Sequence, residues 1–123
     1  MLGYVLGAAA WGYLKAQGAG AKRSHNALAG LPVPELLEEL QYRGAIERGA
    51  LKRVVSPGAA RAITAGLFAL VHPGNELDAA LGSLVYSKAF DAGESRWGRF
   101  GGLLVAVATH CAHNCGVWLG GAP

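Results

Sequence analysis

Two adjacent carboxylates followed by an arginine are the first residues whose types and spacing can support chemistry. They lie in the run Glu38-Glu39-Leu40-Gln41-Tyr42-Arg43. On a helix, Glu39 and Arg43 are four residues apart, which brings opposite charges within reach of an ion pair. Glu38 is rotated by roughly 100° around the helix axis and is left without that partner. The pattern is common on solvated helix faces, but it also supplies one free carboxylate beside a neutralised one.

Two further pairs of residues, each with one histidine, have the same four-residue spacing and lie in uncharged parts of the chain. Phe68 and His72 lie at the end of a helix that Pro73 stops, and His110 and Asn114 lie in the most hydrophobic stretch. A histidine at a helix C-terminus is often structural, because the helix dipole favours it there. Polar side chains inside an apolar spanning helix are costly and usually face a cavity or a partner helix. The second pair is therefore the stronger candidate for a functional role.

The spacing of these groups allows a helical bundle to bring them together. Glu38, His72 and His110 are separated by 34 and 38 residues, which in each case is one helix, a connection and a further helix. A carboxylate, two imidazoles and the carboxamide of Asn114 in one enclosed cavity form a constellation suited to hydrolysis.

Two cysteines next to these histidines suggest a different chemistry. Cys111 and Cys115 are four residues apart and, with His110 and His113, offer ligands for a metal-binding or redox membrane protein. Paired-cysteine zinc sites usually arise from turns, and the sequence has no second cysteine pair. Small buried thiols that fill a helix interface are the simpler interpretation.

The composition of the chain favours a membrane protein. Hydrophobic residues make up 52% and charged residues 15% of the 123 residues, which argues against a disordered chain and an ordinary charged soluble domain. The 23 alanines and 19 glycines suit close helix packing in a bilayer. Only the uncharged stretch Phe100–Pro123, with 24 residues, exceeds the about 20 needed to cross a bilayer. The net charge of +3 is too small to indicate a nucleic-acid partner.

Prolines, glycines and charges divide the chain into helices and connections, with no useful β-alternation. Residues 15–33 are predicted to be a linker, and Asp91–Arg99 a polar loop. The predicted helices are Pro34–Leu51, Ala59–His72, Leu77–Phe90 and Phe100–Leu119.

The three polar motifs together resemble those of the CAAX prenyl endopeptidase and bacteriocin-processing (CPBP or Abi) family of intramembrane proteases. They stand here as Glu38-Glu39-Leu40-Gln41-Tyr42-Arg43, Phe68-Ala69-Leu70-Val71-His72 and His110-Cys111-Ala112-His113-Asn114. The resemblance implies an all-α integral membrane bundle with a CPBP-type core of about four helices, as in a minimal or truncated member. We expect an N-terminal apolar segment and linker at 1–33 and the protease core at 34–121.

The resemblance also implies catalytic roles for four residues. Glu38 and His72 would hold and activate a water molecule, with Glu38 as the general base. His110 and Asn114 would stabilise the oxyanion of the tetrahedral intermediate. The implied activity is hydrolysis of a peptide bond in a peptide or protein substrate, either prenylated or membrane-embedded, at the lipid bilayer.

Three further residues would support the site in this family. Glu39 and Arg43 would be structural, and Phe68 would pack beside the catalytic groups. The residues leave the metal question open: Glu38, His72 and His110 could bind zinc with an open fourth position, as in a metalloendopeptidase. The alternative is a metal-free glutamate protease.

Two other functions remain open at the level of sequence. One is a non-catalytic membrane scaffold or binding protein, a pseudo-protease that retains the motifs for packing. The other is the metal-binding or redox protein that uses the cysteines. Replacement of Glu38 by glutamine separates the first from an enzyme, because the two side chains are nearly isosteric.

Overall fold

The computed structural model describes residues 1–23, 28 and 30–123, and the secondary structure of these residues is helical apart from an isolated β-bridge between Lys22 and Ala122. Four segments make up the fold. These are α1 (Leu2–Gly18), α2 (Val33–Glu39) with its continuation as a π-helix (Leu40–Ala50) and a 3₁₀ turn (Leu51–Arg53), α3 (Pro57–Leu70) and α4 (Glu76–Gly120). The expectation of an all-α chain is confirmed.

The first predicted linker is partly helical. Helix α1 continues through Lys15 to Gly18, so that the first four residues of the segment 15–33 belong to it. Residues 24–27 and 29 of that segment lie outside the described residues. The division between 33 and 34 therefore stays a prediction.

Local capping sets the limits of α3. The hydroxyl of Ser56 accepts a hydrogen bond from the backbone N–H of Ala59 at 3.2 Å, and Pro57 occupies the first turn, which is the position in a helix that tolerates proline. At the other end, Pro73 disfavours helical geometry in the residue before it. Helix α3 ends at Leu70, so His72 lies two residues beyond the helix and not within its last turn.

The prediction of a polar loop at Asp91–Arg99 is wrong for most of its length. The helix continues through this segment, and only Trp97 and Gly98 leave helical geometry. Asp91 forms ion pairs with Arg48 and Arg61, which lie on the π-helix and α3. Asp91 is thus paired with other helices of the fold, and the backbone of the segment remains helical on both sides of Trp97 and Gly98.

Trp97 and Gly98 reverse the direction of α4. Gly98 has a φ of 70°, in the left-handed region that glycine adopts without strain. The rings of Tyr86 and His110 stack with centroids 4.4 Å apart, whereas a straight helix would separate them by about 36 Å. Helix α4 is therefore a hairpin with a first arm at 76–96 and a second arm at 99–120.

Helix α1 packs against the second arm through glycines. A Cβ atom placed on Gly12 would collide with the backbone of His113, and one on Gly116 would collide with the backbone of Ala9. Glycine at both positions allows the two helix backbones to touch, which is the packing mode of small residues in membrane helices. The apolar segment at the N-terminus is thus an integral part of the bundle.

The interior of the bundle is unusually polar. Buried charged residues are Glu35, Glu39, Arg43, Glu47 and Arg48, while many large apolar side chains lie on the outside. Tyr42, Phe68 and Ala79 form a small buried hydrophobic cluster. Among the described residues, α4 is the one helix with the length and hydropathy to cross a membrane.

Candidate active site

Glu39 and Arg43 form the ion pair that their spacing predicts. Nε of Arg43 lies 3.2 Å from Oε2 of Glu39, and both side chains are 0% exposed. The guanidinium also donates to the backbone oxygen and the hydroxyl of Ser83, at 2.9 and 3.0 Å. These contacts join α2 and the π-helix to the first arm of α4. The pair is well suited to a structural role beneath the site.

Glu39 has a second partner that the sequence did not indicate. Nδ1 of His110 lies 3.0 Å from Oε1 of Glu39 in a buried contact. Because an ionised carboxylate only accepts hydrogen bonds, Nδ1 is the donor and carries a proton. The His110 ring also stacks on Tyr86. The carboxylate and the aromatic ring together fix the orientation of this imidazole.

Glu38 lies close to His72. Oε2 of Glu38 lies 4.0 Å from Nε2 of His72, and the two side chains are 35% and 31% exposed. This oxygen is itself buried and has no hydrogen-bond partner among the described residues. The separation exceeds a direct hydrogen bond but suits a bridging water about 2.9 Å from both atoms. The sequence expectation that Glu38 is the unpaired member of the double glutamate agrees with this geometry.

The orientation of His72 is set by Phe68, in the last turn of α3. Nδ1 of His72 donates a hydrogen bond to the backbone oxygen of Phe68 at 2.7 Å; the carbonyl can only accept, so Nδ1 carries the proton. The two rings lie 4.4 Å apart. Nε2 is thereby directed towards Glu38, and Phe68 packs directly against the histidine as expected.

Asn114 is held by a carboxylate that the motifs do not include. Nδ2 of Asn114 donates to Oε1 of Glu35 at 2.9 Å. Glu35 is 4% exposed, and it precedes Glu39 by one helical turn. The pair Glu35 and Glu39 on α2 therefore faces the pair Asn114 and His110 on α4.

Three of the four predicted catalytic residues share one small cavity. His72, His110 and Asn114 line a space of about 60 Å³, together with Tyr86, which is large enough for a few water molecules. Glu38 is close to one of these residues, His72. The carboxylate that contacts His110 is that of Glu39 and not that of Glu38. The arrangement offers a water position between carboxylate and imidazole, with further donors close by.

A second dyad on the same cavity was missed in the sequence. Asp78 lies 3.3 Å from Nε2 of His113 and also accepts hydrogen bonds from Lys15 and Trp11 of α1, at 2.7 and 2.9 Å. His113 is three residues from His110, so both side chains lie on the same side of the second arm, and both line this cavity. No sequence signal joins Asp78 to His113, because the contact depends on the hairpin in α4.

The described residues contain no ready-made metal site. Within residues 1–23, 28 and 30–123, no three histidine, cysteine or acidic side chains are grouped to hold a metal ion. Cys111 and Cys115 are free thiols. Zinc at Glu38, His72 and His110 stays a prediction.

The described residues form a helical bundle that encloses paired carboxylates and imidazoles. Residues 23–116 match the family model of type II CAAX prenyl endopeptidase Rce1-like proteins, and the chain belongs to this family. The family consists of membrane proteases that process CAAX sequences, which confirms the resemblance drawn from the three motifs. Searches of curated proteins and of solved structures find no match.

Proposed function

We propose that this chain is an intramembrane endopeptidase that cleaves prenylated CAAX-type C-terminal peptides with a water molecule activated by Glu38 and His72. The observation that carries the proposal is the free, buried Oε2 of Glu38, which lies 4.0 Å from Nε2 of His72. An unpaired buried carboxylate oxygen is costly in a purely structural role. Beside a histidine it has the properties of a general base.

The distribution of polar and apolar side chains supports a membrane bundle. Five charged side chains are buried, and large apolar residues such as Leu70, Leu77 and Phe100 are exposed, whereas a soluble domain rarely buries charged side chains. Each arm of α4 has slightly more than 20 residues, the length that spans the hydrocarbon core. Family membership adds to this support.

The proposed reaction proceeds by direct attack of water. Glu38 accepts a proton from the water, whose oxygen attacks the scissile carbonyl carbon. The negative charge that develops on the carbonyl oxygen is stabilised by the Nδ2–H of Asn114 and by His110, whose Nδ1–H remains on Glu39. When the C–N bond breaks, the proton on Glu38 passes to the leaving amine.

Glu38→Gln is the decisive variant, measured in proteoliposomes on a farnesylated peptide with an internally quenched CAAX sequence. We expect kcat to fall about 10²- to 10⁴-fold, the range for loss of a general base. Glu94→Gln is the matched control, because Glu94 has a similarly exposed side chain at 32% and belongs to a different cluster, with Arg48 and Arg99. Equal cleavage by wild type and Glu38→Gln would refute the role of Glu38 as the general base, whereas the absence of cleavage by the wild type would favour the scaffold.

A further inference from the structure

A third buried carboxylate, Glu35, belongs to the same site but to none of the three motifs. It lies in the first turn of α2, and its position four residues before Glu39 puts both side chains on the inner face of the helix. Their exposed fractions are 4% and 0%. Glu38, between them in sequence, lies on a different side and is half-buried.

Glu35 and Glu39 act on α4 in the same way. Glu39 contacts His110 at 3.0 Å and Glu35 contacts Asn114 at 2.9 Å. Two side chains four residues apart on one helix therefore meet two side chains four residues apart on the other, in antiparallel order. Each catalytic group of the second arm has its own carboxylate.

The contact determines which end of the Asn114 amide can serve the reaction. A carboxamide has a nitrogen with two hydrogens and an oxygen that only accepts, and a carboxylate only accepts. Glu35 therefore holds Nδ2, because the flipped amide would place two acceptor oxygens together. One N–H is bound to Glu35, and the second N–H remains for another acceptor at the cavity that Asn114 lines.

Packing alone does not account for Glu35. Its second oxygen, Oε2, is buried and has no hydrogen-bond partner among the described residues, a state that costs free energy in a purely structural contact. Natural proteins leave buried polar atoms without hydrogen-bond partners mainly at functional sites.

We propose that Glu35 is a positioning residue, whose carboxylate orients the Asn114 carboxamide so that an Nδ2–H stabilises the oxyanion. This inference rests on the proposed function, since it assigns a means of orientation to that same site. For this role, the side chain at position 35 must offer a hydrogen-bond acceptor where Oε1 of Glu35 now lies.

Enzyme kinetics and a transition-state analogue test the inference. The analogue is the aldehyde of the farnesylated peptide, whose hydrate resembles the tetrahedral intermediate. We expect Glu35→Leu to lower kcat and weaken aldehyde binding by the same factor, about 10- to 100-fold, with KM unchanged. Glu35→Gln keeps an acceptor oxygen and should stay within about fivefold of wild type. Glu47→Gln, a buried carboxylate that contacts Ser87 and Arg48 instead, is the control for general damage.

A double-mutant cycle separates the role of Glu35 from that of the whole site. Asn114→Ala should weaken the aldehyde by about 10²- to 10³-fold, and the addition of Glu35→Leu should cause no further loss, because Glu35 acts through Asn114. Additive losses, an unchanged Glu35→Leu enzyme, or equal losses in Glu35→Gln and Glu35→Leu would overturn the inference while the protease stands. A wild-type chain that neither cleaves the peptide nor binds the aldehyde would overturn the proposed function, and with it this role of Glu35.

Discussion

The two adjacent glutamates are expected to differ in their contribution to stability, and Glu39→Gln should destabilise the protein far more than Glu38→Gln. The substitution keeps the shape of the side chain but removes the charge that neutralises Arg43, which is 0% exposed. Loss of one partner of a buried ion pair costs about 3–5 kcal/mol. Arg43 keeps its two hydrogen bonds to Ser83, so we expect the lower end, about 3 kcal/mol, or roughly a hundredfold in the unfolding equilibrium.

Unfolding in mixed micelles, followed by tryptophan fluorescence, measures this difference. Glu38→Gln is the matched control, because Glu38 is 35% exposed and forms no hydrogen bond among the described residues. Its free energy of unfolding should stay within about 0.5 kcal/mol of wild type. The double variant Glu39→Gln/Arg43→Met removes both charges and should recover part of the loss. Equal stability of Glu38→Gln and Glu39→Gln would refute the reasoning, because it would mean that the ion pair is not buried in the protein.

Further predictions concern the turn and the contacts of α1. Gly98→Ala should cost about 1–3 kcal/mol in the free energy of unfolding, because the positive φ strains an alanine. Gly66→Ala is the control: it lies in an open helical position and should be neutral or stabilising by up to about 1 kcal/mol. Equal effects of the two substitutions would contradict the turn geometry. Gly116→Ala should separate α1 from the bundle and raise its protease sensitivity, while Gly7→Ala, which has open space around it, should leave digestion unchanged. Asp78→Asn should also expose α1 to the protease, since it weakens the ion pair with α1; unchanged digestion would show that this contact does not hold α1.

Helical periodicity made the contacts within the first two motifs predictable. The pairing of Glu39 with Arg43 and the packing of Phe68 on His72 each span four residues of one segment, so the sequence alone contains the information. The same argument correctly left Glu38 unpaired. These local contacts account for the part of the site that was anticipated.

Contacts between segments were not predictable in the same way. Glu35 meets Asn114, and Glu39 meets His110, only because α2 lies antiparallel to the second arm of α4 at one particular register. The sequence contains no local signal of that register, although the one-turn spacing of Glu35 and Glu39 offered a hint. The loop predicted at Asp91–Arg99 failed for a related reason, since the ion-pair partners of Asp91 lie on other helices.

The two-residue reversal at Trp97 and Gly98 sets the phase of the second arm. One residue more or less at this point would turn that arm by about 100° and shift it about 1.5 Å along its axis. His110 and Asn114 would then leave their carboxylates together, although neither had been changed. The length of this connection is therefore as important for the proposed activity as the proposed catalytic residues, and we expect insertions there to abolish cleavage in a chain that still folds into helices.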